Sequence, residues 1–300
     1  MADMYIVTNS DLIAVADSIR DKTGGTEQLV FPSGFKTAIE GIQTGNSATA
    51  PYIEETYDEN GDLINANMVG YNKIRDDLFN DCGNLSLTSL PEGITSIGNS
   101  SFYNCTNLSL TSLPESVTSI GNTAFYNCTN LALTSLPEGI TSIANSTFNK
   151  CTNLSLASLP EGVTSIGNNA FRDCTNLALT SLPEGVTSIG TFAFYGCTNL
   201  ALTSLPEGIT SIGMNTFTLC SNLILTSLPE GITSIGDAAF AYCSKITMIT
   251  FKGTPTSVSS SAFAKCENLT TINVPWAEGA VANAPWGATN AAINYNYTGK

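Results

Sequence analysis

The chain has 300 residues, 42% of them hydrophobic and only 12% charged, and its 11 basic and 25 acidic side chains leave a net charge of −14. That balance excludes the Lys- and Arg-rich surfaces that hold phosphate backbones or anionic membranes, while the apolar share is ample for a packed core. Histidine is absent, which removes the commonest general base, the commonest metal ligand and every Ser-His or Cys-His catalytic arrangement.

Residues 1–44 read as a small α/β N-terminal domain. Thr8-Asn9-Ser10-Asp11 opens a helix with a capping box. Leu12, Val15, Ala16 and Ile19 make its apolar stripe, and Gly24-Gly25 ends it. QLVFP is a short strand, and Pro32 starts a second helix with Phe35, Ile39 and Ile42 inward. So small a core is uncomfortable alone, and self-association into a homo-oligomer or docking to a partner is expected of it. The first residues have no basic start, apolar stretch or small-residue cleavage site, and do not read as a signal peptide. Residues 45–67 read as a linker and a β-hairpin turning at Asn60-Gly61.

Residues 68–273 are a repeat. The nine cysteines, Cys82, Cys105, Cys128, Cys151, Cys174, Cys197, Cys220, Cys243 and Cys266, keep a constant 23-residue spacing. With Cys as position 0, the unit reads C-T-N-L-x-L-T-S-L-P-E-G-(I/V)-T-S-I-G-x-x-A-F-x-x. Its apolar positions follow neither a sustained 3.6 nor a 2.0 period. A coil of short strands and turns has that pattern, with each inward residue stacking on its copy in the next coil. Within the unit Leu108-x-Leu110 predicts one short strand and Ile-Thr-Ser-Ile a second, joined by a Pro-Glu-Gly turn. Positions 17, 18, 21 and 22 vary most, and their i, i+1, i+4, i+5 spacing predicts the exposed face of a short helix with Phe and Cys inward. On that reading Asn168 faces solvent and tolerates alanine, whereas Phe171 does not.

YNKIRDDLFNDC, before and including Cys82, keeps Ile74 and Phe79 but adds charge, as a first polar half-turn should. Residues 274–300 form the C-terminal cap, in which Trp276 and Trp286 cover the exposed core and INYNY closes as a strand. The sharper alternative for the two tryptophans is a ligand platform. The fold class is thus a β-rich solenoid of 23-residue units with short parallel strands and a short helix or turn, carrying a small α/β head.

The dull role of the cysteines is that of buried, reduced core residues, since parallel copies pointing one way do not bridge and no C-x-x-C pair exists for a metal. No catalytic residue, metal site or cofactor is expected. Glu92, Glu115, Glu138, Glu161, Glu184, Glu207 and Glu230 form an acidic ladder of turn residues. It reads first as a solvated rim, with a cation row or a docking stripe for a basic partner as sharper options. Asn84, Asn107, Asn130, Asn153, Asn176, Asn199 and Asn222 form a second ladder, expected to satisfy turn backbone. Binding should sit where copies differ, at Tyr103, Tyr126, Arg172, Phe192, Tyr195, Met214, Leu219 and Tyr242, since exposed aromatics suit protein or glycan contact.

Ile120, Gly121, Ala124, Phe125, Cys128 and Leu131 match residue by residue the I-G-x-x-A-F-x-x-C-x-x-L core of the bacterial BspA-type leucine-rich repeat, which the chain resembles from about Val69 to Asn273. The resemblance implies a solenoid with parallel strand ladders that serves adhesion and protein binding rather than catalysis. Most copies depart from it in carrying the fuller L-x-L-T-S-L-P-E-G form. The head, the hairpin and the PWGATNAAINYNYTG ending also resemble leucine-rich-repeat proteins of bacteriophages and prophages of gut-type bacteria. That second resemblance implies a tail- or baseplate-associated protein, anchored by its N-terminal domain, released by lysis and recognising a host-surface protein or glycan. Nucleic acid and membrane are not expected partners. A bacterial cell-surface adhesin is the alternative, and a cell-wall-acting enzyme using paired carboxylates the remote one.

Overall fold

The computed structural model describes residues 51–299, and the readings made for residues 1–44 lie outside them. A hairpin comes first. Strands β1 (Tyr52–Tyr57) and β2 (Leu63–Val69) pair antiparallel, and Asp58 Oδ1 accepts the amides of Asn60 and Asp62 around a left-handed Gly61. Ala66 and Met68 of β2 are buried and begin the core.

One two-residue strand per coil follows. These are β3 (Lys73–Ile74), β4 (Ser96–Ile97), β5 (Ser119–Ile120), β6 (Ser142–Ile143), β7 (Ser165–Ile166), β8 (Ser188–Ile189), β9 (Ser211–Ile212), β11 (Ser234–Ile235) and β13 (Ser257–Val258). Within a sheet each pairs in parallel with its copy, Ser opposite Ser and Ile opposite Ile or Val, except that Lys73 faces Ser96. They form three three-stranded sheets, β3-β4-β5, β6-β7-β8 and β9-β11-β13. A fourth sheet at the C-terminal end runs β10 (Ser227–Leu228), β12 (Met248–Phe251), β14 (Thr271–Asn273) and β15 (Ala292–Asn294).

Two local expectations are corrected. Leu108-x-Leu110 is not a strand, although its segment joins its neighbours through single bonds such as Ser109 N–H to Leu87 O (3.1 Å). Leu108, Leu110 and Leu113 are all buried, and a spacing of two followed by three breaks the pleat. Only the looser last units extend this segment into β12 and β14.

Nor is the variable stretch a helix. Residues at positions 18 and 22, such as Ser100 (φ 49°) and Asn104 (φ 57°), are left-handed. The amides of Ser100, Phe102 and Asn104 donate to Asn122, Ala124 and Tyr126 of the next coil rather than four residues back. The stretch is a chain of tight turns, locked coil to coil. Left-handed backbone costs an ordinary residue about 1–2 kcal/mol, which is why Asp81, Asn104, Asn127, Asp173 and Gly196 hold position 22 in five coils.

The inward positions form columns. Phe79, Phe102, Phe125, Phe148, Phe171, Phe194, Phe217, Phe240 and Phe263 stack with centroids 5.2 to 5.6 Å apart. Beside them, eight thiols from Cys105 to Cys266 each donate to the carbonyl of the Phe 26 residues earlier, at 2.9 to 3.1 Å. All nine cysteines are free. Glycine at position 16 permits close approach of coils: a Cβ on Gly190 would lie 2.5 Å from Asn168 N.

The C-terminal end is covered. Trp286 is fully buried with Nε1–H donated to Ala282 O (2.7 Å), and Trp276 meets it and Phe251 edge-on. Burial removes the ligand-platform alternative for both rings.

Candidate recognition face

The turns from position 17 to 22 put positions 19 and 20 inward and most variable side chains outward, although Asn149, Thr218 and Ala241 at position 21 are buried and Tyr103, Tyr126, Arg172, Phe192 and Tyr195 are half-buried. Equivalent positions of successive coils are joined by backbone bonds, so every candidate binding residue lies on this one turn face. Tyr103 and Tyr126 stack at 4.7 Å, with Lys150 Nζ over the Tyr126 ring at 5.6 Å. Two coils on, the Arg172 guanidinium sits over Phe192 (5.4 Å) and Tyr195 (5.0 Å), whose rings tilt at 45° to each other. Arg172 Nε lies 3.4 Å from Asp173 Oδ2, without the alignment of a hydrogen bond. Further on, Met214 (42%), Leu219 (37%) and Tyr242 (51%) are exposed. Leu219 and Tyr242 succeed one another at position 22, both with left-handed backbone where all earlier coils but that of Lys150 hold Asn, Asp or Gly.

The acidic ladder lies on a different edge. All seven glutamates from Glu92 to Glu230 are exposed. One has a cationic partner: Lys252 Nζ donates to Glu207 Oε1 at 2.6 Å and holds the Glu207 carboxyl below its ordinary pKa. The asparagines named above do little for one another, with Asn222 Nδ2 to Asn199 Oδ1 (3.3 Å) an exception.

The working ladder was missed, at position 17. Asp76, Asn99, Asn122, Asn145 and Asn168 each accept the backbone N–H of the residue 23 later at 2.7 to 3.1 Å. Asn168 Oδ1 also accepts Thr191 Oγ1–H, so it is not idle as expected. The recurring Gly-Asn and Ala-Asn pairs were the signal.

The cysteines offer no reactive site. Burial pushes every buried thiol upward, Cys266 to about 11 and the others further, and neighbouring Cys groups add to the rise at Cys105, Cys128, Cys174, Cys220 and Cys243. Half-exposed Cys82 is raised too, by burial and then by Glu55 and Asp81. Among the described residues no group of His, Cys, Asp and Glu could hold a metal ion, and no helix is long and apolar enough to cross a membrane.

A parallel coil for every repeat around columns of Leu, Ile, Phe and Cys, with variation concentrated on one turn face, defines a leucine-rich-repeat solenoid. More narrowly, the chain belongs to the BspA type leucine rich repeat region family, which it matches over residues 72–184 and 164–279. Similar solved structures include the T. pallidum leucine rich repeat protein, at 29% identity over 65% of this chain and 87% of that one, TM-score 0.46. A leucine rich cell surface protein from Faecalibacterium prausnitzii A2-165 is 21% identical over 84% and 96%, TM-score 0.46. The pneumococcal vaccine antigen PcpA is 20% identical over 74% and 70%, TM-score 0.45. No curated protein sequence matches the chain.

Proposed function

We propose that the chain is a non-catalytic binding protein that recognises a surface protein or glycan through its turn face. The observation that carries this is the concentration of coil-to-coil variation at positions 17, 18, 21 and 22, most of whose side chains are exposed or half-buried. There the chain places aromatics, an arginine and exposed Leu and Met, while neighbouring positions stay nearly identical. Rigid aromatics presented at low entropy cost suit such contact. Membership of the BspA type family supports deployment at a surface.

The test is binding of the labelled protein to intact bacterial cells, to glycan arrays and to displayed surface proteins. Tyr195→Ala and the pair Leu219→Asn with Tyr242→Asn should reduce binding at least about tenfold, the scale of a lost contact residue, while melting is unchanged or rises. Full binding by all of these variants refutes the assignment of the face.

Placement on a phage or prophage tail is the finer reading, supported by the resemblance of the two chain ends. Finding the chain by mass spectrometry in purified virions supports it. Sortase or secretion genes beside the coding sequence favour the cell-surface adhesin instead.

A further inference from the structure

We propose that the solenoid is built as three stiff blocks joined by two flexible seams, each set by one buried threonine. On the strand side of an ordinary coil two amides bond to the coil before. Thr118 N–H donates to Thr95 O (2.9 Å) and Gly121 N–H to Ile97 O (2.8 Å); Thr164 with Gly167, Thr187 with Gly190 and Thr233 with Gly236 repeat the pair. Thr141 and Ala144, and again Thr210 and Gly213, make neither bond. These are the two places where the sheet is interrupted, between β5 and β6 and between β8 and β9.

Both seams share one substitution. Position 19 holds a fully buried Ala at Ala124, Ala170, Ala193, Ala239 and Ala262, but Thr147 (1% exposed) and Thr216 (0%) in the seam coils. The Ala amide closes a turn onto position 16, as Ala170 N–H to Gly167 O. At the seams that bond is replaced by the threonine hydroxyl. Thr147 Oγ1 bonds Ala144 O (3.0 Å) and Gly121 O (3.2 Å), and Thr216 Oγ1 bonds Gly213 O (2.9 Å) and Gly190 O (3.4 Å). A close-packed interior has no room for the added methyl and hydroxyl, so the backbone at position 16 moves off the preceding strand. Ser101, without the methyl, stands at the same position, and its coil keeps Gly98 N–H to Ile74 O at 2.8 Å. Ala144 in place of Gly adds to the first seam.

The opening is one-sided. Across the first seam the turn-side bonds persist, Phe125 N–H to Thr147 O and Asn127 N–H to Asn149 O, and across the second Phe194 N–H to Thr216 O and Gly196 N–H to Thr218 O. The Phe column also runs through, at 5.6 and 5.5 Å. The rod therefore hinges about its turn side and opens on its strand side. Each cluster of the recognition face rides on one block: Tyr103 with Tyr126 on the first, Arg172 with Phe192 and Tyr195 on the second, Met214 with Leu219 and Tyr242 on the third. Bending re-aims these groups relative to one another; the Lys150 contact with the Tyr126 ring crosses the first seam and is strained by it, while the side chains within each block stay together.

Amide-resolved hydrogen exchange on the full chain tests this without any ligand. Thr141, Ala144, Thr210 and Gly213 should exchange roughly tenfold or more faster than Thr118, Gly121, Thr187 and Gly190, as expected for amides outside the ladder. Thr216→Ala should bring Thr210 and Gly213 down to the slow group, and Ala170→Thr should speed Thr164 and Gly167 by opening a third seam. Equal protection of seam and control amides in the wild-type chain overturns the proposal. Fast seam exchange that survives Thr216→Ala overturns the role given to threonine.

Discussion

Replacing Phe171 by alanine probes the column that holds the coils together. The ring is fully buried between Phe148 at 5.6 Å and Phe194 at 5.5 Å. Lost transfer energy of about 2–3 kcal/mol and the cavity left behind combine to about 3–5 kcal/mol. Two aromatic contacts at roughly 0.5–1.5 kcal/mol each bring the expected loss to about 4–8 kcal/mol. Phe79 at the first coil stacks on one side only, against Phe102, so Phe79→Ala should be milder by about one such contact. Asn168→Ala removes an exposed acceptor whose donors, Thr191 N–H and Oγ1–H, turn to water, at roughly 0.5–1.5 kcal/mol. Guanidinium denaturation followed by circular dichroism gives the order Phe171, Phe79, Asn168 from largest loss to smallest. Equal losses at Phe171 and Asn168 refute the assignment of inward and outward positions.

Alkaline pH should unfold the protein cooperatively. The buried thiols are raised above their ordinary value of 9.0, so the folded chain keeps protons that the unfolded chain releases. Their stabilisation is whole below pH 9.0 and is lost as pH rises toward the folded values, about 11 for Cys266. Denaturation midpoints should be flat from pH 6 to 8 and fall steeply between about 9 and 11; a midpoint unchanged at pH 11 contradicts burial. A thiol reagent at pH 8 should modify half-exposed Cys82 first, leaving the eight buried thiols until denaturant is added, and prompt labelling of all nine would contradict the column. Gly190→Ala should cost about 1–3 kcal/mol by driving a Cβ against Asn168 N, seen as a lower melting temperature, whereas Gly185→Ala, whose Cβ meets nothing nearer than 3.7 Å, should change melting little.

The inward side of the coil was legible because each core residue recurs at a fixed distance from its cysteine. Val117, Ile120, Phe125 and Cys128 announce their burial by repetition. The turn face was legible as a surface but not as a shape. Variation at i, i+1, i+4 and i+5 marks a helical face, and it equally marks two left-handed corners four residues apart, such as Ser100 and Asn104. The frequency of Asn, Asp and Gly at position 22 was the signal that separates the two. The position-17 ladder hid for another reason: Asn99, Asn122, Asn145 and Asn168 vary into Thr191, Met214 and Asp237 further along, so they read as variable surface rather than as shared structure. The substitutions Thr147 and Thr216 were visible as deviations from Ala, but their effect depends on volume inside a closed core.

The thiol donated from each coil to the Phe carbonyl 26 residues earlier has a counterpart in every neighbour, as does each inward contact. Copying one whole repeat within the regular region would therefore insert a ring whose upper and lower surfaces already fit. The hairpin and the tryptophan plug would simply sit about 4.8 Å further apart. Growth or shrinkage by whole rings is built into such a protein, and its span can change between close descendants without any new interior having to be invented.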